Sequence, residues 1–277
     1  MRLAFSTLGV PGLPLAEVLR LATGTGFHGV EVRAHPEEPV HLGLGPAERA
    51  GVRRRFEDAG VAVLGVAGYP RVAAGGADEP VLAEMRALLE LARDLGAPYV
   101  RVFPGGEEGA VGAGLARSDA AAVRRLTKAA PLAADLGVRV LLETHDSHRT
   151  GADAARVLRE VDHPSCGALW DVLHTWRGGE DPDKTHPTLA PYLGYVQVKD
   201  VASREDTTPL APGDGVLPLA EVVELLTRAG DLAPSDGEGD EWLCWEYEKR
   251  WYPEIPELPA LLPRVRDHLL ELLAEAA

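Results

Sequence analysis

Acidic and amide side chains stand at the ends of several short apolar segments in this chain of 277 residues. Glu143 closes the segment VRVLLE, Asp171 closes CGALWD, and Glu246 lies near the end of WLCWEY. Gln197 and Lys199 occupy the corresponding place in GYVQVK. Carboxylate and amide oxygens can ligate a divalent cation, and paired carboxylates can transfer protons. The spacing therefore predicts acid/base or metal chemistry where these segments end.

Eight apolar segments of this β-type alternate with longer amphipathic segments of helix type. Several helix-type segments end in glycine directly before the next apolar segment, as helices commonly do. This alternation predicts an α/β fold of parallel strands joined by helices, and eight units predict a closed (β/α)8 TIM barrel. An open doubly wound sheet is the alternative, but the first turn lacks the G-x-G-x-x-G fingerprint of dinucleotide-binding sheets. The predicted strands span residues 2–6, 28–33, 61–67, 99–103, 138–143, 166–171, 194–199 and 242–247.

The overall composition limits the classes of function. No linker or low-complexity tract interrupts the pattern, so we expect a single domain over residues 1–277, with 231–241 as a surface excursion. A net charge of −15 argues against a nucleic-acid partner, whose phosphates require a basic surface. Two cysteines predict no disulfide framework. No apolar run approaches the roughly 20 residues of a membrane span. We therefore expect a cytoplasmic protein without a membrane partner.

The two-residue period of a strand assigns each side chain to one face of the barrel wall. One phase is apolar and should meet the helices, as with Val140, Leu142, Val196 and Val198. The other phase points into the barrel and turns polar at the mouth, the end where the carboxyl termini of the strands emerge. Its polar members are Glu31, Arg33, Arg101, Glu143, Asp171, Gln197, Lys199, Glu246 and Glu248.

Several carboxylates in one narrow mouth require compensating positive charge. Two unit charges 4 Å apart repel by about 4 kcal/mol at an effective dielectric constant near 20. Lys199, Arg33 and Arg101 could supply the compensation as an internal network of ion pairs. A divalent cation is the other solution, and ligands rich in oxygen favour Mn²⁺ or Mg²⁺ over Zn²⁺. The residues alone leave both solutions open.

A series of motifs, in order and spacing, resembles one known family along essentially the whole chain. The motifs are LAFSTLG, GFHGVEVR, VRVFPGG, LLETH, LWDVLH, YVQVKD and WEYEKRWYPEIPE. By these motifs the chain resembles the xylose-isomerase-like sugar phosphate isomerase/epimerase family, whose members are (β/α)8 barrels.

The resemblance implies a divalent metal and a proton-transfer mechanism. It places metal ligands at Glu143, Asp171, Gln197 and Glu246, where Gln197 stands in place of the family's histidine. Glu143 and Glu246 would also move the proton, and His174 would contact the substrate. Mn²⁺ is the expected ion, with Mg²⁺ or Co²⁺ as substitutes and Zn²⁺ less favoured because of the oxygen ligands.

The implied activity moves a proton at a carbon beside a carbonyl of a small carbohydrate or keto-polyol. Three alternatives stay open: a lyase or dehydratase of a keto-inositol or keto-sugar, an endonuclease-four type DNA repair enzyme, and a barrel that only binds a ligand. The DNA repair enzyme would need more histidines and a basic face. A homo-oligomer also stays open. The further residues expected to contact the substrate are His145, Lys199, Arg204, Glu31 and Trp251.

Overall fold

The protein is described by a computed structural model that covers residues 1–229 and 242–276. Eight parallel strands close into a barrel in the ring order β1, β10, β7, β6, β5, β4, β3, β2, which confirms the predicted TIM barrel. The barrel strands are β1 (Arg2–Ser6), β2 (Gly29–Arg33), β3 (Ala62–Arg71), β4 (Tyr99–Phe103), β5 (Arg139–Glu143), β6 (Cys166–Asp171), β7 (Leu193–Val198) and β10 (Trp242–Trp245). A small antiparallel hairpin of β8 (Asp200–Val201) and β9 (Pro209–Leu210) follows β7.

Helices cover the outside of the barrel. The first four end at a glycine in the left-handed region, which lets the chain reverse directly into the next strand, as predicted. Among the residues that the structure describes, no helix combines the length and apolarity needed to cross a membrane. The helices are α1 (Leu15–Thr25), α2 (Pro46–Ala59), α3 (Asp78–Leu95), α4 (Ala113–Leu136), α5 (Gly151–Val161), α6 (Val172–Arg177), α7 (Pro182–Leu189), α8 (Leu219–Ala229) and α9 (Leu258–Ala276).

The two faces of the barrel wall pack as the sequence predicts. The outward side chains, including Val140, Leu142, Val196 and Val198, join the main core beneath the helices. The inward apolar side chains form a separate cluster that fills the barrel interior. This lower plug consists of Ala4, Leu64, Leu141, Leu169, Tyr195, Trp242 and Cys244, and the polar groups of the mouth lie above it.

Two strand ends differ most from the predicted ones. Strand β3 continues to Arg71 rather than ending at 67, and β10 ends at Trp245, so Glu246 begins a loop. The β8–β9 hairpin was not predicted, because two-residue strands carry no periodic signal. It is stabilised by buried Asp200, whose carboxylate accepts hydrogen bonds from four backbone N–H groups of residues 201–217. The predicted surface excursion at 231–241 lies outside the described residues.

A buried arginine of α4 anchors the loop after β3. Arg125 is fully buried, and its Nε donates to Asp78 at the start of α3. The remaining guanidinium nitrogens donate hydrogen bonds to carbonyl groups of this loop. These acceptors are the backbone oxygens of Arg71, Val72, Ala74, Gly76 and Ala77.

Replacing Arg125 with methionine is expected to lower the free energy of unfolding by at least about 3 kcal/mol. The substitution removes the side-chain donor of these loop carbonyls and one of the donors to Asp78. The neighbouring Arg124 also pairs with Asp78 but is largely exposed. Arg124→Met should therefore lower the free energy of unfolding much less than Arg125→Met does. Urea unfolding of both variants measures the contrast, and equal effects would contradict the anchoring role of Arg125.

Candidate active site

Four consecutive strands bring together the side chains predicted to be metal ligands. Glu143 ends β5, Asp171 ends β6, Gln197 lies in β7, and Glu246 directly follows β10. The strand register pairs Asp171 with Gln197, and Gln197 with Cys244. All four predicted ligands are at most 5% exposed. We call Glu143, Asp171, Gln197 and Glu246 the oxygen cluster, because each contributes side-chain oxygen atoms to the mouth.

Lys199 supplies one positive charge to this cluster. Its Nζ atom lies 2.8 Å from Asp171 Oδ2 and 2.8 Å from Glu248 Oε1, and it also contacts Glu246 Oε2. Burial alone would lower the pKa of Lys199, but Asp171 and Glu246 raise it well above its ordinary value. Burial opposes ionisation of Glu246, yet Lys199 holds the pKa of Glu246 below its ordinary value. Lys199 is therefore an ammonium ion shared by three carboxylates.

Arg101 supplies the second positive charge from β4. Its Nη1 atom lies 3.2 Å from Glu143 Oε2, and its guanidinium lies over the ring of Phe103. Burial nevertheless raises the pKa of Glu143 to about 8. Burial and the neighbouring Glu246 also raise the pKa of Glu31. Among the described residues, carboxyl groups at the mouth outnumber the cations that contact them, and the raised pKa values of Glu31, Glu143 and Asp171 show that burial favours their neutral forms when no further cation is bound.

One buried oxygen of the oxygen cluster, Gln197 Oε1, has no hydrogen-bond donor. Glu143 Oε2 and Asp171 Oδ2 face cations instead, at 3.2 Å from Arg101 Nη1 and 2.8 Å from Lys199 Nζ. The other oxygen of Asp171 caps α6 by accepting from the N–H groups of Leu173 and His174. This cap orients the carboxylate. A buried amide oxygen without a donor is uncommon in proteins, and carboxylate and amide oxygens are the ligand types that a hard divalent cation prefers.

A second donor group lies beside the oxygen cluster. Among the described residues, Glu143, His145 and His174 form a group that could hold a metal ion, with ligand atoms within 4.8 Å of one another. The two imidazole rings are 3.9 Å apart, and His145 Nδ1 lies 2.7 Å from the carboxylate of Asp146. Burial lowers the pKa of His174 well below its ordinary value, which keeps the ring neutral. Both histidines therefore lie where the sequence places them, next to Glu143.

The loop that carries His145 is fixed by a chain of hydrogen bonds. His148 is fully buried, with Nε2 at 2.8 Å from Asp119 and Nδ1 at 2.9 Å from the hydroxyl of Ser147. The same hydroxyl accepts from the N–H of Gly106 in the loop after β4. His148 thus joins two loops of the mouth.

Two predicted substrate contacts lie at the rim of the mouth. Arg204 is exposed, and its guanidinium carbon lies 4.6 Å from the ring centre of Trp176. Trp251 is 52% exposed and lies near Arg33, 5.7 Å from its guanidinium carbon. Arg33 itself is hydrogen-bonded to Glu38. Neither residue belongs to the buried group around the oxygen cluster, and contact of either residue with a substrate stays a prediction.

Glu31 lies deeper than the sequence suggests. It is fully buried, and its Oε2 accepts hydrogen bonds from the hydroxyl of Tyr195 and from Gln197 Nε2. The sequence does not identify Tyr195 as part of the site. Its signal was the inward phase that it shares with Gln197, two residues later in β7.

The comparison with protein families agrees with this architecture. A family model described as xylose isomerase-like TIM barrel matches residues 19–269. The chain belongs to the xylose isomerase-like TIM barrel family. A relative of this xylose isomerase-like barrel is a putative hydroxypyruvate isomerase of Streptomyces coelicolor, 27% identical over 263 residues, with 85% of this chain and 86% of the relative covered.

Solved structures resemble the xylose isomerase-like barrel over nearly its full length. The probable 3-DHS dehydratase AsbF of Bacillus anthracis is 18% identical, with 98% of this chain and 99% of that chain covered and a TM-score of 0.80. The IOLI protein with a binding zinc atom is 17% identical, with 100% and 99% covered and a TM-score of 0.81. D-psicose 3-epimerase is 16% identical, with 99% of each chain covered and a TM-score of 0.80. At these identities the likeness shows the fold alone.

Proposed function

We propose that the protein is a divalent-metal-dependent isomerase or epimerase of a small carbohydrate-like compound. The observation that carries this proposal is the order of side chains along the mouth. Glu143 and Glu246 come from the outer two of four consecutive strands, and Asp171 and Gln197 lie between them. Two buried carboxyl groups that flank oxygen ligands can work on opposite sides of one bound carbon.

The oxygen cluster would hold the metal, with Mn²⁺ as the first choice and Mg²⁺ or Co²⁺ as substitutes. When bound, the ion would polarise the carbonyl and hydroxyl oxygens of the substrate and stabilise negative charge on them. A bound ion would compete with Lys199 for Asp171 and Glu246. Glu248 gives Lys199 a partner outside the cluster when the ion takes these carboxylates.

The protein's own residues would perform the proton transfer. One of the carboxylates, Glu143 or Glu246, removes the proton from a carbon beside the carbonyl, and the other returns a proton. Return on the opposite face gives epimerisation, whereas return to the neighbouring carbon gives isomerisation. His145, His174 and Lys199 are available to orient the substrate hydroxyls, because His145 borders Glu143, and His174 and Lys199 border Asp171.

A panel of α-hydroxycarbonyl compounds tests the proposal. Hydroxypyruvate belongs in the panel because of the relative's printed name, together with ketoses and a keto-inositol. We expect Mn²⁺-loaded protein in ²H₂O to introduce deuterium beside the carbonyl of one compound without loss of mass as water, followed by NMR and mass spectrometry. Chelator-treated protein is the control. A product lighter by one water would indicate a dehydratase instead, and no exchange with any compound would favour a ligand-binding barrel.

A further inference from the structure

The carboxamide of Gln197 has a fixed orientation. Its Nε2 atom lies 2.9 Å from Glu31 Oε2 and 3.3 Å from Glu246 Oε1. The oxygens that Nε2 contacts on both neighbours act as acceptors, and the same Glu31 Oε2 also accepts from the hydroxyl of Tyr195. The nitrogen therefore faces these two residues. The carbonyl oxygen Oε1 faces the other way, where it is buried and has no hydrogen-bond donor.

Glu31 is itself held in place by a residue that is distant from it in the sequence. It is fully buried in β2, and the hydroxyl of Tyr195 donates to the same Oε2 atom that receives the Gln197 amide. Tyr195 belongs to the interior apolar plug, so its ring is fixed by packing. Glu31 thus connects the packed interior to the Gln197 side chain.

We infer that Glu31 is a positioning residue that turns the carbonyl oxygen of Gln197 toward a divalent cation in the oxygen cluster. A glutamine is a useful ligand only in one of its two amide orientations, because the reversed amide presents N–H groups to the cation. Residues hydrogen-bonded to metal ligands fix such orientations and strengthen binding. This role replaces the substrate contact predicted for Glu31. The inference rests on the metal site of the proposed function and explains how glutamine serves where the resemblance implies histidine.

The orientation also has a consequence for metal choice. With Gln197 held in this way, all four members of the oxygen cluster present oxygen rather than nitrogen. Oxygen ligands suit hard ions such as Mn²⁺ and Mg²⁺, whereas imidazole suits Zn²⁺. Glu31 would therefore contribute to selection of the ion although it does not touch it.

Binding of Mn²⁺ to the metal-free protein, measured by electron paramagnetic resonance without substrate, tests the inference. Glu31→Gln keeps the shape of the side chain but can offer its amide in either orientation, so we expect the dissociation constant to rise about 10- to 100-fold. The double variant Glu31→Gln with Gln197→Glu exchanges donor and acceptor. It keeps the total charge and again holds an oxygen ligand in place, so binding should return to within about fivefold of wild type.

Matched controls separate orientation from charge and folding. Glu38→Gln removes the charge of another buried glutamate, which pairs with Arg33 and the N–H of Gly12, and should leave the dissociation constant within about twofold. Circular dichroism of each variant checks the fold. Wild-type affinity in Glu31→Gln, or a double variant as weak as the single one, would overturn the inference. If the binding results hold but wild-type protein exchanges no substrate proton, the proposed function fails and the inference stands.

Discussion

Glu246→Gln is expected to reduce solvent-proton exchange into the substrate by at least about 100-fold. An amide cannot accept the proton that a carboxylate accepts at neutral pH. The replacement has nearly the same shape. Its carbonyl oxygen can still accept a hydrogen bond from the ammonium of Lys199, which contacts Glu246 in the wild-type protein. The folded structure should therefore persist while the chemistry fails. Deuterium incorporation, followed by NMR with the substrate identified in the panel, measures the loss.

Glu248→Gln is the matched control for this loss. Glu248 contacts the same Lys199, at 2.8 Å, but lies outside the oxygen cluster and is partly exposed. Removing its charge changes the surroundings of Lys199 without removing a proton-transfer group. We expect exchange to fall by less than about tenfold. If Glu246→Gln retains the wild-type exchange rate, Glu246 is not an acid or base in the reaction.

The inward orientation of Glu143, Asp171 and Gln197 could be predicted because these polar residues interrupt a strongly apolar pattern. Strands of a parallel barrel are buried on both faces and are expected to be almost continuously apolar. Glu143 and Asp171 break that pattern at the ends of two strands, and Gln197 breaks it within a third. The period of two then assigns all three to the interior. The separate interior and outer clusters confirm this assignment.

Contacts across the barrel could not be predicted in the same way. Tyr195 and Glu31 are 164 residues apart, and their hydrogen bond depends on how two strands face each other in the closed ring. The amide orientation of Gln197 depends on that contact. Periodicity gives the face of a side chain but not its partner. The partners of Arg101 and Lys199 could not be predicted for the same reason, because several carboxylates lie on the same inward face of the barrel wall.

The layered interior explains why so many charged groups can be buried here. Below the mouth, the apolar plug fills the barrel and excludes water from the lower side of the carboxylates. Each buried carboxylate must then find a donor or a cation among its neighbours, because desolvation of an unpaired charge is costly. Among the described residues, Lys199 contacts more of these carboxylates than Arg101 does.

Replacing Lys199 with methionine is therefore expected to lower the free energy of unfolding by about 3–5 kcal/mol in metal-free protein. Methionine fills similar space but leaves Asp171, Glu246 and Glu248 without their shared ammonium. Thermal unfolding of chelator-treated protein measures the change. Lys249→Met is the matched control for a buried lysine, since Lys249 pairs with Glu257 and backbone carbonyls away from the oxygen cluster.

Addition of Mn²⁺ to Lys199→Met tests whether the ion binds the carboxylates that Lys199 contacts. An ion that binds only the folded state raises stability in proportion to the logarithm of its concentration over its dissociation constant. Because the ammonium no longer shares Asp171 and Glu246, Lys199→Met should gain more stability from Mn²⁺ than wild type does, whereas Lys249→Met should gain as much as wild type. A Lys199→Met protein that is as stable as wild type without metal would mean that the carboxylates are already neutral. The charge crowding that calls for a cation would then be absent.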